Sequence, residues 1–379
     1  MSQLERTIVQ TQKVRLSTPD QPFRFECGRE LRHLEVAFET YGRLNAAADN
    51  AVYVVHALTG SAHAAFYNSP EEDRPGWWDG LIGPGKALDP DRYFIVCANL
   101  LGSCYGTTGP SSINPETGDI YGMDFPPITT RDMVKAQKLL LDYLGVKRLR
   151  LVLGGSLGGM ITWQWLVDYP EFVEAAIPIA GTVQGSPWMI ALNEVARQAI
   201  FNDPAWQDGW YRGQGPSAGL ALARMIAMIS YRSDRQFWQR FGRARVKPEP
   251  EHQLEFDNWF QIESYLHYQG HKLVKRFDAR TYIYLTEAMD LHDVARGYSC
   301  LEEALDRIQA EVLVIGIDSD VLYYPHELKA TVRTLQKLGK KAQYAEISSI
   351  YGHDAFLVEY EQLNHLVREF LEGRPRCAS

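Results

Sequence analysis

Leu149-Arg150-Leu151-Val152-Leu153-Gly154-Gly155-Ser156-Leu157-Gly158-Gly159-Met160 is the stretch on which the fold turns. Its first five residues are mostly apolar and β-compatible, and they run into a Gly-x-Ser-x-Gly turn. A helix-like segment, 157–169, follows until Pro170 stops it. Strand, turn and helix together make the nucleophile-elbow pattern. A serine on so sharp a turn adopts a strained backbone, and Gly154 and Gly158, lacking Cβ atoms, let neighbouring chain pass close by. The hydroxyl of Ser156 then sits at the N-terminal end of a helix, whose free N–H groups favour negative charge. The pentapeptide by itself would suit a plain tight turn; the flanking strand and helix favour a catalytic serine.

With 379 residues, 45% of them apolar, the chain can bury one large core and carry an inserted subdomain. Its net charge of −8, with both signs interspersed, gives no support to nucleic acid or an anionic membrane as partner. Cys27, Cys97, Cys104, Cys300 and Cys377 are odd in number, far apart and without a CxxC pair, which argues against a disulfide framework or a zinc site and for a reducing cytosol. The N-terminus lacks the apolar run of a signal peptide, and no run of eighteen apolar residues occurs, so a cytoplasmic location is expected.

Working outward, 7–16 and 34–41 alternate apolar and polar residues like antiparallel edge strands. Segments 51–56, 93–98, 173–180, 312–317 and 343–347 read as buried strands and, with the elbow strand, bring the count to eight. Gly80 to Lys86 has the spacing of a phosphate-binding loop. Ala87 stands where a magnesium-binding hydroxyl is required, however, and no strand leads in or helix out, so phosphate binding there is not expected. The loop 99–127 is long enough to line a site. Thr129 or Thr130 can cap the helix that follows, and further helices are expected at 325–338 and 354–371. Strands and helices alternate in a doubly wound α/β order.

Residues 181–308 interrupt that order. They show helical stripes and no buried-strand pattern, which predicts a helical cap inserted after the sixth strand and roofing the C-terminal edge of the sheet. The expected division is a core of 1–180 and 309–379 with a cap of 181–308.

A serine hydroxyl needs a base oriented by a carboxylate. In α/β-hydrolase folds the order is serine, acid, histidine, with the acid after the penultimate core strand and the histidine after the last. His353 follows 343–347 and is the one histidine of ten in that setting. Asp318 and Asp320 both follow 312–317, and spacing leaves them even; either could also be a turn carboxylate bonding its own backbone. Backbone N–H groups of Leu157 and, after the third strand, Leu58 are the candidate oxyanion hole. No metal or bound cofactor is needed for this chemistry.

The segments His56-Ala57-Leu58-Thr59-Gly60, Pro75-Gly76-Trp77-Trp78-Asp79-Gly80, Tyr105-Gly106-Thr107-Thr108-Gly109-Pro110-Ser111-Ser112-Ile113-Asn114-Pro115, Gly154 to Met160, Asn193-Glu194-Val195, Gly219 to Ile226 and Tyr351-Gly352-His353-Asp354 are not demanded by any fold. In them the chain resembles the homoserine O-acetyltransferase family, methionine-pathway acyltransferases of the α/β-hydrolase type. The resemblance implies an eight-stranded, mostly parallel sheet with a helical cap, and it selects Asp320 over Asp318 as the acid. It further implies that Arg224 binds the amino acid's carboxylate and Asp354 its ammonium group. Read from the residues alone, Arg224 would be a solvated helix face and Asp354 a helix N-cap. Leu157 stands where many relatives have methionine, a volume-conserving change at a position that supplies only its N–H. Also implied are acetyl-CoA as co-substrate, ping-pong transfer through acyl-Ser156 and a homodimer joined through cap helices. Succinyl transfer to homoserine or serine, or ester hydrolysis, are the alternatives.

Overall fold

The computed structural model describes residues 6–373 apart from Gln214, Pro250, Glu251, Gln253 and Asn258. Its strands are β1 (Gln12–Arg15), β2 (Phe23–Arg24), β3 (Glu30–Leu31), β4 (Glu35–Tyr41), β5 (Ala51–Val55), β6 (Phe94–Ala98), β7 (Leu149–Gly155), β8 (Ala175–Ile179), β9 (Glu311–Ile317) and β10 (Ala342–Ile347). Eight of them form one sheet in the order β1-β4-β6-β5-β7-β8-β9-β10. Pairing is parallel from β6 through β10, while β4 runs antiparallel to β6 and to β1.

The buried runs recognised in the sequence form the centre of this sheet because both faces are covered. On β5, Tyr53 and Val55 join one apolar cluster and Val52 and Val54 the other; on β9, Val312 and Val314 face opposite to Leu313 and Ile315. Period-2 side-chain alternation thus feeds two cores at once. The first strand is shorter than expected. Of 7–16 only β1 is strand, and Ile8 makes an isolated bridge to Tyr67. The hairpin β2–β3 lies outside the main sheet and has no counterpart among the expected strands, since two-residue strands leave no alternation to read.

The helices are α1 (Thr130–Tyr143), α2 (Leu157–Asp168), α3 (Pro187–Phe201), α4 (Ser217–Ser230), α5 (Asp234–Arg240), α6 (Gln261–Val274), α7 (Ala279–Asp290), α8 (Leu301–Asp306), α9 (Pro325–Lys337) and α10 (Tyr360–Glu372). Thr129 caps α1 by accepting from the Asp132 N–H, and the Asp132 carboxylate accepts from the Thr129 N–H. This reciprocal pairing satisfies two donors that a helix start leaves free. The expected terminal helix from 354 is in fact two pieces, a 3₁₀ turn over Gly352–Leu357 and then α10. Asp354 is therefore not the N-cap of α10, a position held by Glu359. The phosphate-loop lookalike carries no helix, and Lys86 is spent on the Asp79 carboxylate at 3.3 Å and the Ile82 carbonyl at 3.2 Å. Helices α3 to α8 all lie between β8 and β9, where α4 packs against α3 and α6. No helix among the described residues is long and apolar enough to cross a membrane.

Two glycines decide how tightly the serine turn seats on the sheet. A Cβ on Gly158 would lie 2.3 Å from the Val55 carbonyl oxygen, and one on Gly154 would lie 2.6 Å from the same atom. Both obstacles are backbone, which has no rotamer with which to yield. Gly158→Ala is therefore expected to lower the unfolding free energy by about 3 kcal/mol or more, with reduced soluble yield, as read by urea denaturation.

Candidate active site

Every singled-out residue of the core follows the C-terminal end of a parallel strand: Leu58 after β5, Ser156 after β7, Asp320 after β9 and His353 after β10. Ser156 has φ +61° and ψ −125°, a conformation that costs a non-glycine residue of order 1–3 kcal/mol and persists only where its surroundings enforce it. Those surroundings are backbone. The Ser156 N–H donates to the Ile179 carbonyl at 2.9 Å, and a Cβ on Gly181 would come within 2.8 Å of the Ser156 carbonyl oxygen.

The two aspartates left open by spacing part company in space. Asp320 Oδ2 lies 2.7 Å from His353 Nδ1, while its Oδ1 accepts from the N–H groups of Leu322 at 2.7 Å and Tyr323 at 3.0 Å. It is thus both the turn carboxylate and the partner of the histidine. Asp318 instead accepts from the Ser348 hydroxyl and the Ser349 N–H at 2.8 and 2.9 Å. Between them, Ser319 Oγ donates to the Ser349 carbonyl at 2.5 Å and accepts from the Gly352 N–H at 3.1 Å, tying the acid's loop to the histidine's.

His353 is 2% exposed, and its Nε2 is buried with no hydrogen-bond partner among the described residues. Two rings join it to the serine turn. Phe356 lies 5.7 Å from the imidazole centroid and fills the space over Gly155; Tyr323 lies 5.1 Å from the imidazole, its hydroxyl meeting Met160 Sδ at 3.6 Å and neighbouring the Ser156 side chain. Ser156 and His353 thus share one enclosure, without a direct hydrogen bond in this conformation. Catalytic contacts commonly tighten only once substrate is bound. Burial works against protonation of His353, but the charge of Asp320, its hydrogen bond and the charge of Asp354 outweigh it, so the imidazole's pKa is raised above the ordinary value. The Tyr323 phenol is pushed well up, chiefly by burial, and is a neutral donor.

The Leu58 loop is braced by His56. Burial pushes this imidazole down to about 4, so it is neutral. Its Nε2 accepts from the Leu100 N–H at 3.0 Å, which leaves Nδ1 to donate to the Ala57 carbonyl at 2.8 Å. Leu157 is the first residue of α2, where a helix leaves its N–H without an intrahelical acceptor.

The segment between β8 and β9 meets this edge at several points. Trp188 Nε1 donates to the Val321 carbonyl at 2.8 Å, and Arg276 donates to the Thr59 carbonyl at 2.8 Å and the Tyr105 hydroxyl at 2.5 Å. Tyr231 lies 5.7 Å from the imidazole, and the Arg224 guanidinium sits 5.5 Å from the Tyr231 ring centroid. Among the described residues no carboxylate forms an ion pair with Arg224, whose guanidinium rests over the Tyr231 ring. Asp354, by contrast, is paired with Arg232 at 3.0 Å. Sequence reasoning misses Tyr323, Ser319, Arg232 and Tyr231, because each works through a neighbour distant in the chain and no local pattern marks it. Among the described residues no cluster of His, Cys, Asp or Glu is disposed to hold a metal ion.

Chemically, the arrangement offers a hydroxyl, an oriented imidazole and backbone donors at one sheet edge, the parts of acyl transfer through a covalent intermediate. Residues 50–346 match the α/β-hydrolase fold family. The homoserine O-acetyltransferase of Moorella thermoacetica is 55% identical over 356 residues, 93% of this chain and 95% of that protein. The crystal structure of homoserine O-acetyltransferase from Bacillus anthracis, 35% identical, superposes with a TM-score of 0.90 over 98% of this chain and 100% of that one. A crystallised esterase, 30% identical, gives 0.88 over 96% and 100%. The chain belongs to the homoserine O-acetyltransferase family of acyltransferases, on the α/β-hydrolase fold.

Proposed function

We propose that the protein moves an acetyl group from acetyl-CoA to the side-chain hydroxyl of L-homoserine by a ping-pong route through acetyl-Ser156, the methionine-pathway reaction. The observation that carries this reading is the buried His353–Asp320 pair, 2.7 Å apart, in one enclosure with the strained Ser156 turn. His353 takes the Ser156 proton as Oγ attacks the thioester carbonyl, and the N–H groups of Leu58 and Leu157 hold the oxyanion. The C–S bond breaks and CoA leaves with that proton. Homoserine then enters, its carboxylate on Arg224 and its ammonium on Asp354. His353 removes the hydroxyl proton, the alkoxide attacks the acetyl-serine carbonyl, and Ser156 departs reprotonated. Positioning the alcohol is worth up to roughly 7–11 kcal/mol, which is how it outcompetes water. The segment 181–308 serves as the cap that keeps the site dry, on a core of 1–180 and 309–379.

The test is acetyl-CoA with and without homoserine, following free CoA and O-acetylhomoserine. CoA release that depends on homoserine and matches the product is expected. Fast release with no acetylated product would favour a carboxylester hydrolase, the reading that likeness to an esterase recommends. Succinyl-CoA and serine in the same assay decide donor and acceptor.

Because the base must be neutral to act, acetyl-Ser156 formation is expected to fail on the acid side with a midpoint above the ordinary histidine value of about 6.5. Asp354→Asn removes a charge that stabilises the imidazolium. Its midpoint is therefore expected at lower pH than that of the unsubstituted protein, as read by stopped-flow CoA release.

A homodimer joined through the cap helices fits the apolar side chains that these helices leave in water. Leu222 and Ile229, seven residues apart on α4, are 47% and 54% exposed, and Trp238 on α5 is 65% exposed. Ile229→Asp with Trp238→Asp is expected to convert a dimer to a monomer in analytical ultracentrifugation. A cytoplasmic location completes the reading.

A further inference from the structure

The turn joining α4 to α5, Tyr231-Arg232-Ser233, is the seat of the histidine loop. The Asp354 N–H donates to the Tyr231 carbonyl at 3.2 Å, and the Ser233 hydroxyl donates to the Ile350 carbonyl. Gly352, at φ +66°, lies so near that a Cβ there would come within 2.8 Å of the Arg232 carbonyl carbon. Arg232 Nη2 meets Asp354 Oδ2 at 3.0 Å, and each side chain is only 16% exposed. Arg232 Nε is buried without a hydrogen-bond partner, so the carboxylate is what holds this guanidinium. Among the described residues nothing donates to the other carboxylate oxygen, Asp354 Oδ1.

We infer that Arg232 is a positioning residue: it fixes Oδ2 of Asp354, leaves Oδ1 to take the ammonium group of an α-amino-acid acceptor, and offsets the negative charge that Asp354 lays on His353. This rests on the acceptor reading proposed above. The physical need is plain. An unopposed carboxylate beside the base would favour the imidazolium, which cannot accept a proton, and would leave a rotatable side chain where a fixed one is required. The charged and titratable groups facing His353 are Asp320 and Tyr323 from the β9–α9 loop, Tyr231 from the end of α4 with Arg224 over its ring, and Asp354 next in the chain. Arg232 is the cation paired to the last of these. With Arg232 spent on Oδ2, the groups left to meet the acceptor are the Arg224 guanidinium and Asp354 Oδ1, one cation and one carboxylate oxygen, a pair that suits a zwitterion and loses one of its two contacts to an amino alcohol with no carboxylate.

The test is a double-mutant cycle on purified full-length protein. Arg232→Gln is expected to raise the KM for homoserine about tenfold, far more than it slows acetyl-Ser156 formation, and to move the acid-side midpoint to higher pH. In the Asp354→Asn background the same change is expected to leave both quantities where Asp354→Asn alone puts them, because the carboxylate through which Arg232 acts is gone. An equal KM rise in both backgrounds, or an acid-side midpoint that stays put or falls, would overturn the inference. If Arg232→Gln does not fold, Arg232→Lys in both backgrounds carries the same comparison, with a KM rise confined to the Asp354 background expected. If the unsubstituted protein fails to acetylate homoserine, the acceptor reading falls by itself. The midpoint read from p-nitrophenyl acetate hydrolysis needs no homoserine and still decides whether Arg232 acts through Asp354 on His353.

Discussion

Replacing Ser156 by alanine is expected to cut acetyl transfer by about 10⁴- to 10⁶-fold and to abolish the acetyl adduct seen by intact mass after acetyl-CoA is added. The size of the effect follows from what alanine leaves intact. The backbone N–H groups of Leu58 and Leu157 remain, so donor binding and oxyanion stabilisation persist while no oxygen is present to carry the acetyl group. Alanine also inherits the φ of +61°, so the backbone strain is retained and the fold is not relieved by the change. A variant that keeps a tenth of its activity would mean that water or homoserine attacks the thioester directly, and the covalent route would be wrong.

Asp320→Asn is expected to lower turnover by about 10³- to 10⁴-fold with little change in stability. The amide keeps an oxygen for the Leu322 and Tyr323 N–H groups, which holds the loop, but it turns a donor toward His353 Nδ1. The imidazole is then driven to carry its proton on Nε2, the nitrogen that must receive one from Ser156. Asp318→Asn is the matched control, since its carboxylate faces Ser348 and Ser349, and a change of less than about threefold is expected there. Equal losses in the two variants would mean that the acid has been misassigned. A thermal melt run alongside separates chemistry from folding, because both aspartates tie down loops.

Residues are legible in the sequence to the extent that their roles are written in local pattern. Ser156 is legible because the turn demands glycines at fixed offsets and a helix after it. The central strands are legible because burial on both faces leaves continuous apolar runs. His353 is legible from its place after the last strand. Asp318 and Asp320 are not separable by spacing, because both sit in the same loop and only the direction of each side chain distinguishes them. The two-residue strands β2 and β3 are too short for any period to register. Arg232 and Tyr323 act on groups far off in the chain, so nothing in their own neighbourhoods marks them. A terminal helix beginning at 354 starts too early because 354–357 is compatible with a helix, and the pairing of Asp354 with Arg232 is a tertiary choice.

β8 and β9 lie side by side, with Ile179 opposite Ile315, although the chain leaves the sheet for roughly 130 residues between them. The entropy of closing so long an excursion grows only logarithmically, each doubling of its length costing about 0.6 kcal/mol, so the sheet is nearly indifferent to how much chain is inserted there. What the joint does constrain is where the excursion departs, at the rim that carries the reactive groups after Ile179, and where it returns, at the opposite edge, where Glu311 pairs beside Ala175. An exchange of that whole excursion for another of different size would alter which molecules are admitted while leaving the machinery of bond making untouched, and a single architecture can in this way supply enzymes of quite different appetite.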